Sequence, residues 1–186
     1  GSMPIGEYSL FKNAQILDAA SVVVFSLWAR ALQARLPKSL NMTSKVGVLG
    51  SNLVDELIAI KALSTWRGQD VLVRCRERCG AQGLFSDNKI IDYFVTNNGT
   101  ITAEGDNQVM LLKVGQSLID NPPDLGLSAH PVLSRLLAPL KRYFRIQCER
   151  INEILCNVVN EDRFSAWNHC GDDIIRLTQI FGVFAA

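Results

Sequence analysis

Apolar positions along this chain recur at intervals of three and four residues, the period of helices that bury one face. From Ala14 to Leu36, "AQILDAASVVVFSLWARALQARL", the pattern predicts a long, mostly buried helix that Pro37 stops. A second helix is predicted from about Lys45 to Thr65, with Gly47 and Gly50 near its start, where a neighbouring backbone can come close. A third runs from Gln69 to Cys79 and is closed by Gly80. Turn signals at Asp87-Asn88 and Asn97-Asn98-Gly99 leave room for a short helix from Lys89 to Val95. Another helix is predicted from Asn107 to about Ile119, after which "NPPDLG", Asn121 to Gly126, breaks the chain and is the best candidate boundary between two lobes. Beyond it, His130 to Val159 reads as one or two helices, with Pro139 kinking or dividing them, and Glu161 to Phe184 as a last helix with Asp162 as its cap. No stretch sustains the alternation of a strand and no long repeat is visible. The expected fold is all-α, an up-and-down helical bundle over 14–120 with a C-terminal helical extension over 127–186, preceded by an N-terminal segment, 1–13. Two apolar runs, Val22 to Leu27 and the final "IFGVFAA", call for cover, so a partner surface and self-association are expected.

Composition narrows the function classes. Of 186 residues 48% are hydrophobic and 20% charged, a globular balance. A net charge of +1 supplies neither a nucleic-acid groove nor a polybasic membrane patch, and the run Val22 to Trp28 is too short to cross a bilayer, so no nucleic acid and no membrane span are expected. Gly1 and Ser2 ahead of Met3 have the look of a tag-cleavage scar. The five cysteines, Cys75, Cys79, Cys148, Cys156 and Cys170, are odd in number and irregular in spacing, which argues against a disulfide framework. His130 and His169 stand at no ligand spacing from them, so no metal is expected. Buried or half-buried thiols in a reducing cytoplasm remain.

Three stretches have the residue types for chemistry. In "RCRERCGAQGLFS", Gly80 and Gly83 flank Ala81 and Gln82 at a helix end; this is either a glycine C-cap or a bend of backbone N–H groups able to face a phosphate or an adenosine. In "TAEGDN", Asp106 or Asn107 accounts for the cap of the next helix, but capping does not account for Glu104. A glutamate desolvated ahead of that cap would be a competent proton acceptor near neutral pH, whereas an exposed one would be a surface acid. In "SAWNHCGDD", His169 with Asp172 and Asp173 reads as a solvated helix face, and Trp167 as core.

In order and separation these stretches resemble the C-terminal α-domain of the acyl-CoA oxidase and acyl-CoA dehydrogenase flavoproteins, over roughly Ala14 to the C-terminus. That superfamily has a helix with a Cys/Arg-rich end leading into a Gly-Gly/Ala-x-Gly bend before an aromatic, here "CRERCGAQGLF". About twenty residues later comes an aromatic-Glu-Gly-Asp-Asn motif, here "TAEGDNQVMLLKVGQSLI". An acid after the glycine, then Asn and an apolar helix, is the oxidase form of the motif, and the later "SAWN" helix is similar to oxidases too. Ala103 departs from the usual aromatic, which implies a differently shaped acyl pocket. The family's N-terminal helical domain and β-domain, and the Arg-x-Gln-Phe-Gly helix ahead of Ala14, have no counterpart in the sequence. The resemblance therefore implies an excised domain, a fragment or the small subunit of a split enzyme.

The resemblance implies a mechanism. Glu104 would remove the proton next to the carbonyl of an acyl-CoA or acyl-carrier-protein thioester while a hydride leaves for FAD, and its backbone N–H would polarise that carbonyl. Gly105 would keep space open beside the acyl chain. Gly80, Ala81 and Gly83 would approach the adenosine–diphosphate end of FAD, commonly that of a neighbouring subunit, with Asp106 and Asn107 orienting it. A homo-oligomer or a partner chain would supply the missing domains. The alternative is a non-catalytic helical assembly or dimerisation module that retains the motif.

Overall fold

In the computed structural model the described residues are 5–36, 51–126, 131–157 and 163–185; Pro37, Gly47, Gly50, His130 and Asp162 lie outside them. Among the described residues there are only helices and the links between them: α1 (Ser9–Arg35), α2 (Ser51–Arg78), α3 (Ile90–Thr102), α4 (Asn107–Asp120), α5 (Pro131–Asn157), α6 (Arg163–His169) and α7 (Gly171–Ala185), with short 3-10 turns at Ile5–Glu7, Gly80–Leu84 and Ser86–Asn88. The fold is all-α, as expected. It divides into two compact units, Gly1–Ser44 with Ser64–Thr100, and Lys45–Leu63 with Ile101–Ala185.

The first unit is held by charge and stacking between α1 and the later part of α2. Arg67 and Arg74 both reach the Asp18 carboxylate, at 2.9 and 2.5 Å. Arg67 Nε also donates to Ser21 Oγ at 2.9 Å. Further along α2, the Arg78 guanidinium lies 5.3 Å from the centre of the Phe11 ring. Partners that advance along α2 retreat along α1, so the two segments run antiparallel. Arg67, Arg74 and Arg78, spaced by seven and four residues, form one face of the helix.

Two helix predictions change here. The helices predicted either side of Gly68 are one helix, α2, and the one predicted to stop at Val95 continues to Thr102. Both departures have the same cause. A Cβ on Gly68 would stand 3.0 Å from Asn97 Oδ1, so its absence admits the Asn97 amide, which donates to Thr65 O at 2.9 Å and Gln69 Oε1 at 3.0 Å. Partners in another helix outweigh the turn preference of Asn97-Asn98-Gly99. A third change concerns α1, expected to be mostly buried. Only Trp28 and Leu32 are buried on it, and Val22, at 60% exposure, Val23 and Leu27 face outward. By length and composition α1 is also apolar enough to cross a membrane, a property that the core helix of a water-soluble protein and a signal sequence share.

In the second unit α4, α5 and α7 pack on one another pairwise. Leu111, Val114 and Leu118 of α4 face Phe144, Cys148, Ile151 and Leu155 of α5 and Ile174, Leu177 and Phe181 of α7, all buried. Each such fully buried large apolar side chain stabilises the folded state by about 1.5–3 kcal/mol. Thr178 joins this core because its hydroxyl donates to Leu111 O at 3.2 Å and Ile174 O at 3.1 Å. Within the closing apolar run Phe181 and Gly182 are buried, Ile180 is half-buried and Val183 is exposed. The chain passes through 121–126 inside this unit, so the units do not divide at that break. Pro139 lies inside a continuous α5, and the predicted last helix is two, α6 and α7, separated at Cys170. His169 and Asp172 are exposed as expected, whereas Asp173, expected on the same solvated face, and Trp167, expected in the core, are both half-buried. All five cysteines are free; Cys148 and Cys170 are buried, but Cys75, Cys79 and Cys156 are exposed, contrary to expectation.

Candidate functional site

The link from α3 to α4 carries the Glu-Gly-Asp-Asn motif. α3 ends at Thr102, and the Gly105 amide closes the turn by donating to Thr102 O at 3.2 Å. Two successive residues take positive φ, Glu104 at 62° and Gly105 at 117°. Glycine adopts this conformation freely; a glutamate there costs about 1–2 kcal/mol. Asp106 is the cap of α4: its carboxylate accepts from Gln108 N at 2.9 Å and Val109 N at 3.3 Å. That contact contributes about 0.5–2 kcal/mol. Glu104 takes no part in it, and is exposed. The cover expected over Glu104 is thus not supplied by this chain's described residues.

Asn107 is fully buried. Its amide Nδ2 donates to Ala62 O at 3.3 Å, and its Oδ1 accepts from Lys61 Nζ at 2.8 Å. The side chain therefore works inward on α2, and an outward bond to a cofactor is not what its geometry offers. The Lys61 ammonium also donates to Gly105 O at 2.8 Å and Ile101 O at 3.0 Å, with Met110 Sδ at 3.9 Å. Lys61 was not singled out from the sequence. Its one local signal is a lone cation within the apolar "LIAIKAL" of α2.

The second predicted cluster lies in the other unit. After α2, Gly80 takes φ 58°, the left-handed conformation of a glycine C-cap, and Gly80–Leu84 forms a 3-10 turn. Gly80 and Ala81 are exposed, and a Cβ on Gly80 would meet nothing within 4 Å. Gly83 is different: it is buried, and a Cβ there would stand 2.7 Å from Arg76 O, so its glycine serves close packing on the end of α2. Asn88 Nδ2 donates to Gln82 O and ties the turn to the next one. Arg76 and Arg78 occupy the last turn of α2.

The acyl-CoA oxidase C-alpha1 domain model matches residues 7–119, which takes in both clusters. The chain belongs to the acyl-CoA oxidase family. It is 35% identical over 136 residues to peroxisomal acyl-coenzyme A oxidase 3 of Homo sapiens, covering 70% of this chain and 19% of that one. Acyl-coenzyme A oxidase 3 of Yarrowia lipolytica is 35% identical over 81 residues, 40% of this chain and 12% of the relative. The chain thus spans about a fifth or less of the length of these relatives. Among solved structures, Arabidopsis thaliana acyl-CoA oxidase 1 superposes with a TM-score of 0.64 at 14% identity, over 87% of this chain and 28% of that one, a likeness of fold.

Proposed function

We propose that this chain contributes the proton-abstracting base and part of the flavin site to an FAD-dependent acyl-CoA oxidase that introduces an α,β double bond into an acyl thioester. The observation that carries this reading is the turn between α3 and α4. It holds an exposed glutamate at φ 62°, a conformation unfavourable to that residue, beside a helix already capped by Asp106. Strain of this kind persists where surrounding structure imposes it, and it clusters at functional sites.

On this reading Glu104 accepts the proton from the carbon next to the thioester carbonyl. The electrons of that C–H bond become the new double bond as the neighbouring carbon loses its hydride. Bound FAD would supply the hydride acceptor and, in an oxidase, the route for those electrons to O₂. Substrate lying over Glu104 would provide the desolvation that the chain itself does not. Gly105 keeps the adjacent backbone free of a side chain. Gly80 and Ala81 fit the approach of a phosphate-bearing group, because they are exposed and small and follow a helix end carrying Arg76 and Arg78. Gly83 and Asn107 support these two turns from within. A second reading, a helical assembly module, is favoured by the exposed apolar face of α1, and the two are separable by experiment.

The experiment is anaerobic mixing of the complete flavin-loaded enzyme with a saturated acyl-CoA, following flavin bleaching. A positioned base contributes about 10²–10⁴-fold. Glu104→Gln should therefore slow bleaching by at least about 10²-fold while leaving FAD bound. Bleaching at the unmodified rate would place the base elsewhere and favour the assembly reading.

A further inference from the structure

We propose that Lys61 is a positioning residue for Glu104: its ammonium sets the turn that presents the carboxylate. This rests on the reading of Glu104 as the base. Three oxygens converge on one nitrogen, those of Ile101, Gly105 and the Asn107 side chain, all within 3.0 Å. They bracket position 104 on both sides. Ile101 O belongs to the last turn of α3, where carbonyls lack helical partners and the helix dipole is negative. Asn107 is the first residue of α4. One cation thus ties the end of one helix to the start of the next, around two residues of positive φ. Lys61 itself stands well inside α2, flanked by the fully buried Ala59 and Ala62. The anchor is therefore on a packed helix while the tethered element is a turn. An ammonium suits this geometry because it donates in three directions from a single point, whereas a guanidinium donates within a plane.

A bare C-terminal helix cap would use only Ile101 O. The bonds to Gly105 and Asn107 extend the hold across the turn to the far side of Glu104. Displacing a catalytic group by about 1 Å can cost about 10²-fold in rate.

Two variants of the complete flavin-loaded enzyme, Lys61→Met and Lys61→Arg, test this, together with Glu104→Gln. Lys61→Met should slow flavin reduction at saturating acyl-CoA by about 10- to 100-fold, with the half-saturating concentration changed by less than about threefold. Lys61→Arg should fall between it and the unmodified enzyme. Hydrogen exchange should speed at the amides of 103–105 in Lys61→Met and stay unchanged at Leu111–Ile119 of α4. Reduction by Lys61→Met at the unmodified rate, with Glu104→Gln inactive, would overturn the positioning role and leave the base in place. A loss confined to half-saturation would overturn it too, as would exchange rising along all of α4. If neither Lys61 variant folds, Lys61 is a fold determinant and the proposal fails. Full activity in Glu104→Gln would remove the base, and the positioning role with it.

Discussion

Gly115 stands where α4 meets α7, and a single methyl group there should be felt. An ideal Cβ on Gly115 would lie 2.0 Å from Cγ2 of Ile174 and 3.5 Å from its carbonyl oxygen. Carbon atoms in contact sit about 3.5–4.0 Å apart. The two helices must therefore part by roughly 1.5–2 Å or Ile174 must leave its rotamer. Ile174 is fully buried, and its branch at Cβ leaves one preferred rotamer in a helix. Against this, alanine is better than glycine inside a helix by about 1 kcal/mol. Overpacking costs about 1–3 kcal/mol, and the branched, buried neighbour puts this site in the upper part of that range. Gly115→Ala should thus destabilise the chain by about 1–2 kcal/mol. For a chain of this size that lowers the thermal midpoint by about 2–8 °C, read by far-ultraviolet circular dichroism. Ile174→Leu moves the branch from Cβ to Cγ at a cost below about 1.5 kcal/mol. Combined with Gly115→Ala it should be less destabilising than the sum of the two, by about 1 kcal/mol. A Gly115→Ala midpoint at or above that of the unmodified chain, or strict additivity in the pair, would refute the close approach of α4 and α7.

Two further predictions follow from the charges and thiols. The hydrogen bond from Arg74, assisted by the charges of Arg74 and Arg67, holds the Asp18 carboxyl below its usual range against the opposing effect of burial. The unfolded chain then binds that proton more readily, so the contribution is complete above the ordinary carboxylate pKa of about 3.9 and fades as pH falls through the lower folded value. Asp18→Asn should cost about 1.5–3 kcal/mol near neutral pH, and the two stability curves should converge as pH falls below about 4; coincident curves would show that the pair contributes nothing, and a constant offset that its contribution does not depend on the Asp18 charge. A thiol-specific disulfide reagent should modify Cys75, Cys79 and Cys156 in the folded chain and reach Cys148 and Cys170 only on unfolding. Burial pushes the Cys148 thiol up to about 11 and raises that of Cys75, so Cys75 should react slowly for an exposed thiol; early modification of Cys148 would contradict its place in the α4–α5 contact.

The start of α4 was legible because two local signals coincide there, the Asp106 cap and the apolar period through Leu111, Val114 and Leu118. The continuity of α2 and the length of α3 were not legible, because both depend on the Asn97 amide reaching Thr65 and Gln69 from about thirty residues away. The break between α6 and α7 was hidden by apolar periodicity running across it. Of the candidate site, the sequence carried Glu104, Gly105 and the cap. It could not carry Lys61, whose three oxygen partners lie 40, 44 and 46 residues further on. Nor could it reveal that Asn107 and Gly83 face inward, since an asparagine after a cap and a glycine in a bend suit either side of a turn equally well.

On the proposed reading of Glu104 as the base, its left-handed backbone would set folding and chemistry against each other at one position. Gly or Asn would occupy φ 62° with less strain than a glutamate, and neither can accept a proton. A library of this chain screened only for resistance to heat should drift away from glutamate at 104, while one screened for turnover of the assembled enzyme should retain it. Sequencing the survivors of both screens would measure in population frequencies what the turn sacrifices in stability to keep its carboxylate.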